Sequence, residues 1–136
     1  MPREVSKYPT ELELQILKIL WESGPLPVRD VRQALAEREK KRLAHTSVVT
    51  TLNNMVAKKY LKRKAQGNAY IFEAKVHRDE VSKGMVGDLV KRVFDGSASA
   101  LMLNLLADEE FSEAEREELS QLIYTYRQQQ QPGEKK

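Results

Sequence analysis

From Leu12 onward, apolar residues recur at spacings of three and four. Leu12, Ile16, Ile19 and Leu20 form the stripe, and Leu17 and Trp21 widen it, which predicts an amphipathic helix. Thr10 and Glu13, preceded by Pro9, make a T-x-x-E capping box that starts it. Gly24-Pro25 ends it, because glycine releases the chain and proline cannot continue a helix. A second helix is expected from about Pro27, which a first turn tolerates, with Val28, Val31 and Leu35 as a short apolar stripe. It runs out into Arg38-Glu39-Lys40-Lys41-Arg42. A third helix is expected from Thr46 or Ser47 to about Lys58-Lys59. Val48, Leu52, Met55 and Val56 form its buried face, and Ser47, Thr50, Thr51, Asn53 and Asn54 its polar face.

The period then changes. Tyr60-Leu61 and Tyr70-Ile71-Phe72 are short runs of strand formers around the turn signal Gln66-Gly67-Asn68, which predicts a β-hairpin. Three helices followed directly by a hairpin is the order of a winged helix-turn-helix, expected over residues 9–75. Helical patterning returns in residues 76–127. Val81, Met85, Leu89 and Val93 make one row, with Val86, Val90 and Phe94 beside it. Phe94-Asp95-Gly96-Ser97 breaks this helix, and a short one follows with Leu101, Met102, Leu105 and Leu106. Ser112 and Glu115 form a second capping box, opening a last helix with Leu119, Leu122, Ile123 and Tyr126. Residues 128–136 are polar and are expected to be a disordered tail. The fold class is therefore mainly α, with a small β-hairpin wing and a C-terminal helical region.

Composition narrows the chemistry. The 136 residues are enough for one domain or two small ones. With no cysteine there is no disulfide framework, thiolate metal site or cysteine nucleophile. His45 and His77 fall in different elements, so neither a metal nor another cofactor is expected. There is no glycine-rich phosphate loop, no H-E-x-x-H and no nucleophile elbow, so no catalytic residue is assigned and an enzyme is not expected. No apolar stretch is long enough to span a bilayer, and the first residues lack the apolar run of a signal peptide. A cytoplasmic protein without direct membrane association is expected. Charge is uneven. Residues 1–80 hold 16 Lys+Arg against 10 Asp+Glu, and residues 81–136 hold 7 against 10. A basic first part suggests a polyanionic partner.

The polar face of the third helix suits the DNA major groove, where short hydrogen-bonding side chains reach base edges or phosphates. Ser47, Thr50 and Thr51 fit that need, and Asn53 or Asn54 could pair bidentately with adenine; His45 and Thr46 stand at the start of the same helix. A solvated helix face with Ser/Thr capping is the plainer reading of the same residues. In Lys58-Lys59-Tyr60-Leu61-Lys62-Arg63-Lys64, five of seven residues are basic. Lys58, Lys62, Arg63 and Lys64 are expected beside the DNA backbone, where phosphate contacts supply most of the affinity, and Asn68 at the wing tip. Tyr60, Tyr70 and Phe72 are read as packing of the wing.

The helices of residues 77–127 carry more apolar surface than a monomer exposes, yet they are too few for a robust core of their own. They fold back on the first domain or pack against a second copy. Val86, Leu89, Val90, Phe94, Leu101 and Leu105 are expected at a dimer interface. The combination suggests a homodimeric transcriptional repressor of a pseudo-palindromic double-stranded DNA operator. A winged-helix protein–protein adaptor is the alternative.

The chain also resembles the BlaI/MecI penicillinase-repressor family over roughly residues 9–124. The resemblance rests on Thr10-Glu11-Leu12-Glu13 through Ile19-Leu20-Trp21, Ser47-Val48-Val49-Thr50-Thr51-Leu52-Asn53 and Lys58-Lys59-Tyr60-Leu61. Gly67-Asn68-Ala69-Tyr70-Ile71-Phe72 and Phe94-Asp95-Gly96-Ser97 complete it. It implies a dimeric winged-helix repressor of antibiotic-resistance or related genes. It also implies release through a membrane-bound sensor protease pathway, with proteolysis after an Asn that precedes an apolar residue, here Asn104–Leu105. The chain departs from the family pattern at three places. Lys59 replaces a usual Gly, Asn54 a frequent Arg, and Pro27 the usual Ser or Thr. Lacking cysteine, it has no counterpart of the cysteine motif of the related copper-responsive repressors.

Overall fold

The computed structural model describes residues 8–130. The chain divides into two compact units, Met1–Val86 and Gly87–Lys136, with the division inside one helix.

The first unit is a winged helix. Helix α1 spans Glu11–Ser23, strand β1 Leu26–Pro27, helix α2 Val28–Arg38 and helix α3 His45–Ala57. Strands β2 (Leu61–Gln66) and β3 (Ala69–Ala74) form the hairpin. The expected capping box starts α1: Thr10 Oγ1 accepts from the Glu13 N–H at 3.2 Å, and the Thr10 N–H donates to Glu13 Oε1 at 2.9 Å. Gly24, at φ 82°, closes it. Between β2 and β3 only Gly67 has positive φ (62°), and Asn68 does not, as in a two-residue hairpin turn that places glycine first.

The sheet has a third strand that the sequence pattern does not reveal. Leu26 pairs with Phe72 and Pro27 with Ile71, giving the antiparallel order β1-β3-β2. Two residues are too short to show a period of two. Pro27 is therefore not in the first turn of α2; it is the helix N-cap and lies at a sheet edge, where its missing N–H costs nothing. Helix α3 begins at His45, slightly earlier than expected, after Ala44, which supplies no capping side chain.

The core joins all of these elements. Ile16, Leu17, Ile19 and Leu20 of α1 pack with Val31 and Leu35 of α2, Val48, Leu52 and Met55 of α3, and Leu61 and Phe72 of the hairpin. Each buried side chain adds roughly 1.5–3 kcal/mol, so this shared core fixes α3 against the wing. Trp21 locks the exit from the wing: its indole N–H donates to the Val76 carbonyl at 2.9 Å, and the Arg78 guanidinium lies 5.1 Å from the ring.

Helix α4 (Arg78–Val93) begins in this unit and continues into the second, which also holds α5 (Ala98–Leu106) and α6 (Glu113–Gln130). Asp95 (φ 51°) and Gly96 (φ 85°) make the expected break after α4. The Ser97 hydroxyl caps α5 by accepting from the Ala100 N–H at 3.0 Å. Ser112 and Glu115 cap α6 reciprocally, at 2.9 and 3.1 Å. Arg116 donates to the Leu106 carbonyl at 2.8 Å, tying the end of α5 to α6. Neither α5 nor α6 contains a buried residue. Gln128, where the polar tail is expected to begin, is still helical, and residues 131–136 lie outside the described residues.

Candidate nucleic-acid interface

From Lys40 to Phe72 the sequence holds eight Lys and Arg residues and no Asp or Glu. Helix α3 and most of the wing therefore carry an excess of positive charge, and the carboxylates that meet it, Glu13 and Glu73, come from outside this stretch. The core-facing row Val48, Leu52 and Met55 turns the opposite face of α3 outward. His45, Thr46, Ser47, Thr50 and Asn54 are exposed, and Thr51 and Asn53 are half-buried. The Thr51 hydroxyl donates to the Ser47 carbonyl at 2.9 Å, within its own helix.

The start of α3 is also positive. Its first backbone N–H groups have no side-chain cap, so the helix dipole ends in bare donors. A hollow beside it is lined by Arg29, Arg32 and Arg42, and Arg32 donates to the Leu43 carbonyl at 2.7 Å. The apolar periodicity of α2 did not single out Arg29 and Arg32. Their spacing of three on one helix was the available signal, but only the fold brings Arg42 to them.

The four basic residues expected at the backbone separate into three environments. Strand alternation puts Lys62 and Lys64 on one face of the hairpin, where both approach Glu73, at 3.7 and 4.0 Å. These exposed pairs contribute little to stability and leave the ammonium groups available. Arg63, opposite Phe72, lies on the other face, the one turned toward α3. Its Nη1 donates to Asn53 Oδ1 at 2.7 Å, and its guanidinium sits 4.6 Å from the Tyr70 ring. Tyr70 is thus a platform for Arg63, with 51% of its surface exposed, whereas Phe72 is core and Tyr60 packs against the core. Asn68 is exposed in the hairpin turn.

Lys58 points elsewhere. Its ammonium meets Glu13 Oε2 at 2.7 Å, and Glu13 is only 4% exposed. One carboxylate thus caps α1 with one oxygen and holds the end of α3 with the other. The Tyr60 phenol beside it is pushed above its ordinary value of 10.0, first by burial and then by the Glu13 charge, with Lys58 opposing. A groove of about 620 Å³ separates α3 from the wing, with His45, Val49 and Asn53 on one wall and Arg63, Tyr70 and Ile71 on the other.

Of the residues expected at a dimer interface, Val86, Leu89 and Leu105 are exposed, and Val90, Phe94 and Leu101 are half-buried. Leu103, Leu122, Ile123, Tyr124 and Tyr126 are also largely exposed. Asn104 is exposed within α5.

The chain is similar to known proteins over most of its length. It is 18% identical over 114 residues to a penicillinase repressor of Bacillus licheniformis, covering 84% of this chain and 88% of that protein. It is also similar to the crystal structure of the AntR antimony-specific transcriptional repressor, with 18% identity, a TM-score of 0.44, and coverage of 65% of this chain and 73% of that one. F93 from STIV, a winged-helix DNA-binding protein, is similar with 12% identity, a TM-score of 0.45, and coverage of 62% and 92%. The family model described as penicillinase repressor matches residues 9–125, most of both units, and the chain belongs to that family.

Proposed function

We propose that this protein is a homodimeric transcriptional repressor that binds a pseudo-palindromic operator in double-stranded DNA. The observation that carries the reading is the exposed polar face of α3 set beside a basic wing, with no acidic residue from Lys40 to Phe72. Thr46, Ser47, Thr50 and Asn54 stand where an inserted helix meets base edges. Lys62 and Lys64, with Arg29, Arg32 and Arg42 at the start of α3, stand where phosphates flank the groove. Homodimerisation is supported by α5 and α6, which bury no residue within one chain although they carry large apolar side chains. Two copies related by a dyad would cover that surface and present two α3 helices to half-sites a whole number of turns apart, about 34–36 Å per turn. The protein acts in the cytoplasm, without direct membrane association.

The experiment is selection and sequencing of duplex fragments bound by the purified protein, with affinity measured against salt. Inverted repeats, and an affinity that falls steeply with salt, are expected. Binding indifferent to salt, with no shared sequence, would sink the reading and favour an adaptor that docks another protein.

Release by a membrane-bound sensor protease pathway at Asn104–Leu105 is part of the proposal. The bond lies inside α5, and a protease needs an extended segment, so α5 must open first. Within one chain α5 buries no residue, so it is chiefly the contacts with the second copy that oppose this opening. Intact masses of the protein from induced cells are expected to include a fragment ending at Asn104. Derepression with only full-length protein would exclude cleavage.

A further inference from the structure

Arg63 is the basic residue of the wing that faces α3, and it already has two partners there. Its guanidinium stacks over Tyr70 at 4.6 Å and donates to Asn53 Oδ1 at 2.7 Å. Arginine has donors only, so the atom of Asn53 that meets it must be the oxygen. The planar amide is thereby fixed in one orientation, with its carbonyl toward the wing and its two N–H donors on the other branch. Bidentate reading of adenine needs the oxygen and the nitrogen of an asparagine together at one base edge. An asparagine whose oxygen is engaged from the side has its N–H donors free for a base edge.

Resting on the DNA-binding reading above, we propose that Arg63 is a positioning residue for sequence readout. It ties the wing to α3 and fixes Asn53 so that this side chain meets the DNA through its N–H donors. Asn53 then favours a base edge that offers acceptors, guanine O6 and N7 or thymine O4, over cytosine, which offers an N4 donor, and over adenine, whose N7 acceptor stands beside an N6 donor. Phosphate attraction is left to Lys62 and Lys64, on the opposite face of the hairpin.

The test sequences the DNA fragments selected by the full-length wild type and by Arg63→Ala, Asn53→Ala, Asn53→Asp and the double alanine variant, and measures the salt dependence of each. The wild type is expected to prefer guanine or thymine at one position of each half-site, and Asn53→Ala to lose that preference. Arg63→Ala frees the amide and is expected to shift the same position toward adenine, with the slope of log affinity against log salt unchanged. The double variant is expected to match Asn53→Ala. Asn53→Asp keeps an acceptor for Arg63 but lacks donors, and is expected to shift the position toward cytosine; it also serves as a variant with the wing still tied. If Arg63→Ala keeps the wild-type preference and flattens the slope by about 0.9, Arg63 is a phosphate contact and the inference fails. It fails equally if Asn53→Ala selects the same DNA as the wild type. Absence of salt-dependent duplex binding by the wild type would instead overturn the underlying DNA-binding reading.

Discussion

Lys59 stands in the left-handed region, at φ 71°, one residue beyond the C-cap of α3. The Tyr60 N–H bonds back to the Met55 carbonyl and the Lys59 N–H to that of Val56, at 2.9 and 3.0 Å, which is the Schellman ending of a helix. The family resemblance sets glycine at this position, and lysine takes the same backbone at a cost. Lys59→Gly is expected to raise stability by about 1 kcal/mol, read as a higher urea midpoint with unchanged slope. At this scale the sequence shows residue type but not direction. The run Lys58–Lys64 reads as one basic patch, yet Lys58 turns to Glu13, 45 positions earlier in the chain. Arg63 turns to α3, a choice made by strand parity rather than by composition. Only the tertiary fold brings such partners together.

Among elements, legibility follows length and period. Helices α1, α3 and α4 show repeated apolar spacing, and α1 and α6 carry capping boxes that survive intact in the fold. Strand β1 has two residues, one of them proline, and no local signal separates it from a loop. It is specified by the partner it finds, since Leu26 closes over Phe72. The hairpin is legible as an element, but its two-faced chemistry is not, since Lys62, Arg63 and Lys64 read as one basic run until strand pairing separates them. Lys62→Ala and Lys64→Ala, on its outer face, are each expected to weaken binding to every DNA sequence alike. Each should flatten the salt slope by about 0.9 without altering base preference, as titrations at several salt concentrations will show.

For the whole molecule, apolar surface in the second unit is the main energetic question. Isolated helices gain most of their stability from packing an apolar face, and α5 and α6 bury no residue within one chain. Under the homodimer proposal, Phe94→Ala removes about 3 kcal/mol of contact, which raises the dimer dissociation constant at least on the order of 100-fold. Analytical ultracentrifugation is expected to show a dimer for the wild type and a shift to monomer for the variant at the same concentration. Operator affinity should fall with it, because two linked readers gain from effective concentration. A monomeric wild type at micromolar concentration would contradict the proposal. The need for a covering surface was legible from the count of apolar residues. Which of them remain open was not, because helical spacing marks a face without saying what meets it.

Trp21 is the only tryptophan of the chain, and it sits where the wing leads into α4, bonded to the Val76 carbonyl and covered by Arg78. The molecule therefore carries its own optical gauge at that joint. Excited at wavelengths that tyrosine does not absorb, this one indole emits without background from another. Loss of its hydrogen bond and of the overlying guanidinium changes the polarity it senses. Any event that loosens the seam between α1 and the start of α4 becomes visible in unlabelled protein, at a site away from the residues proposed to touch DNA.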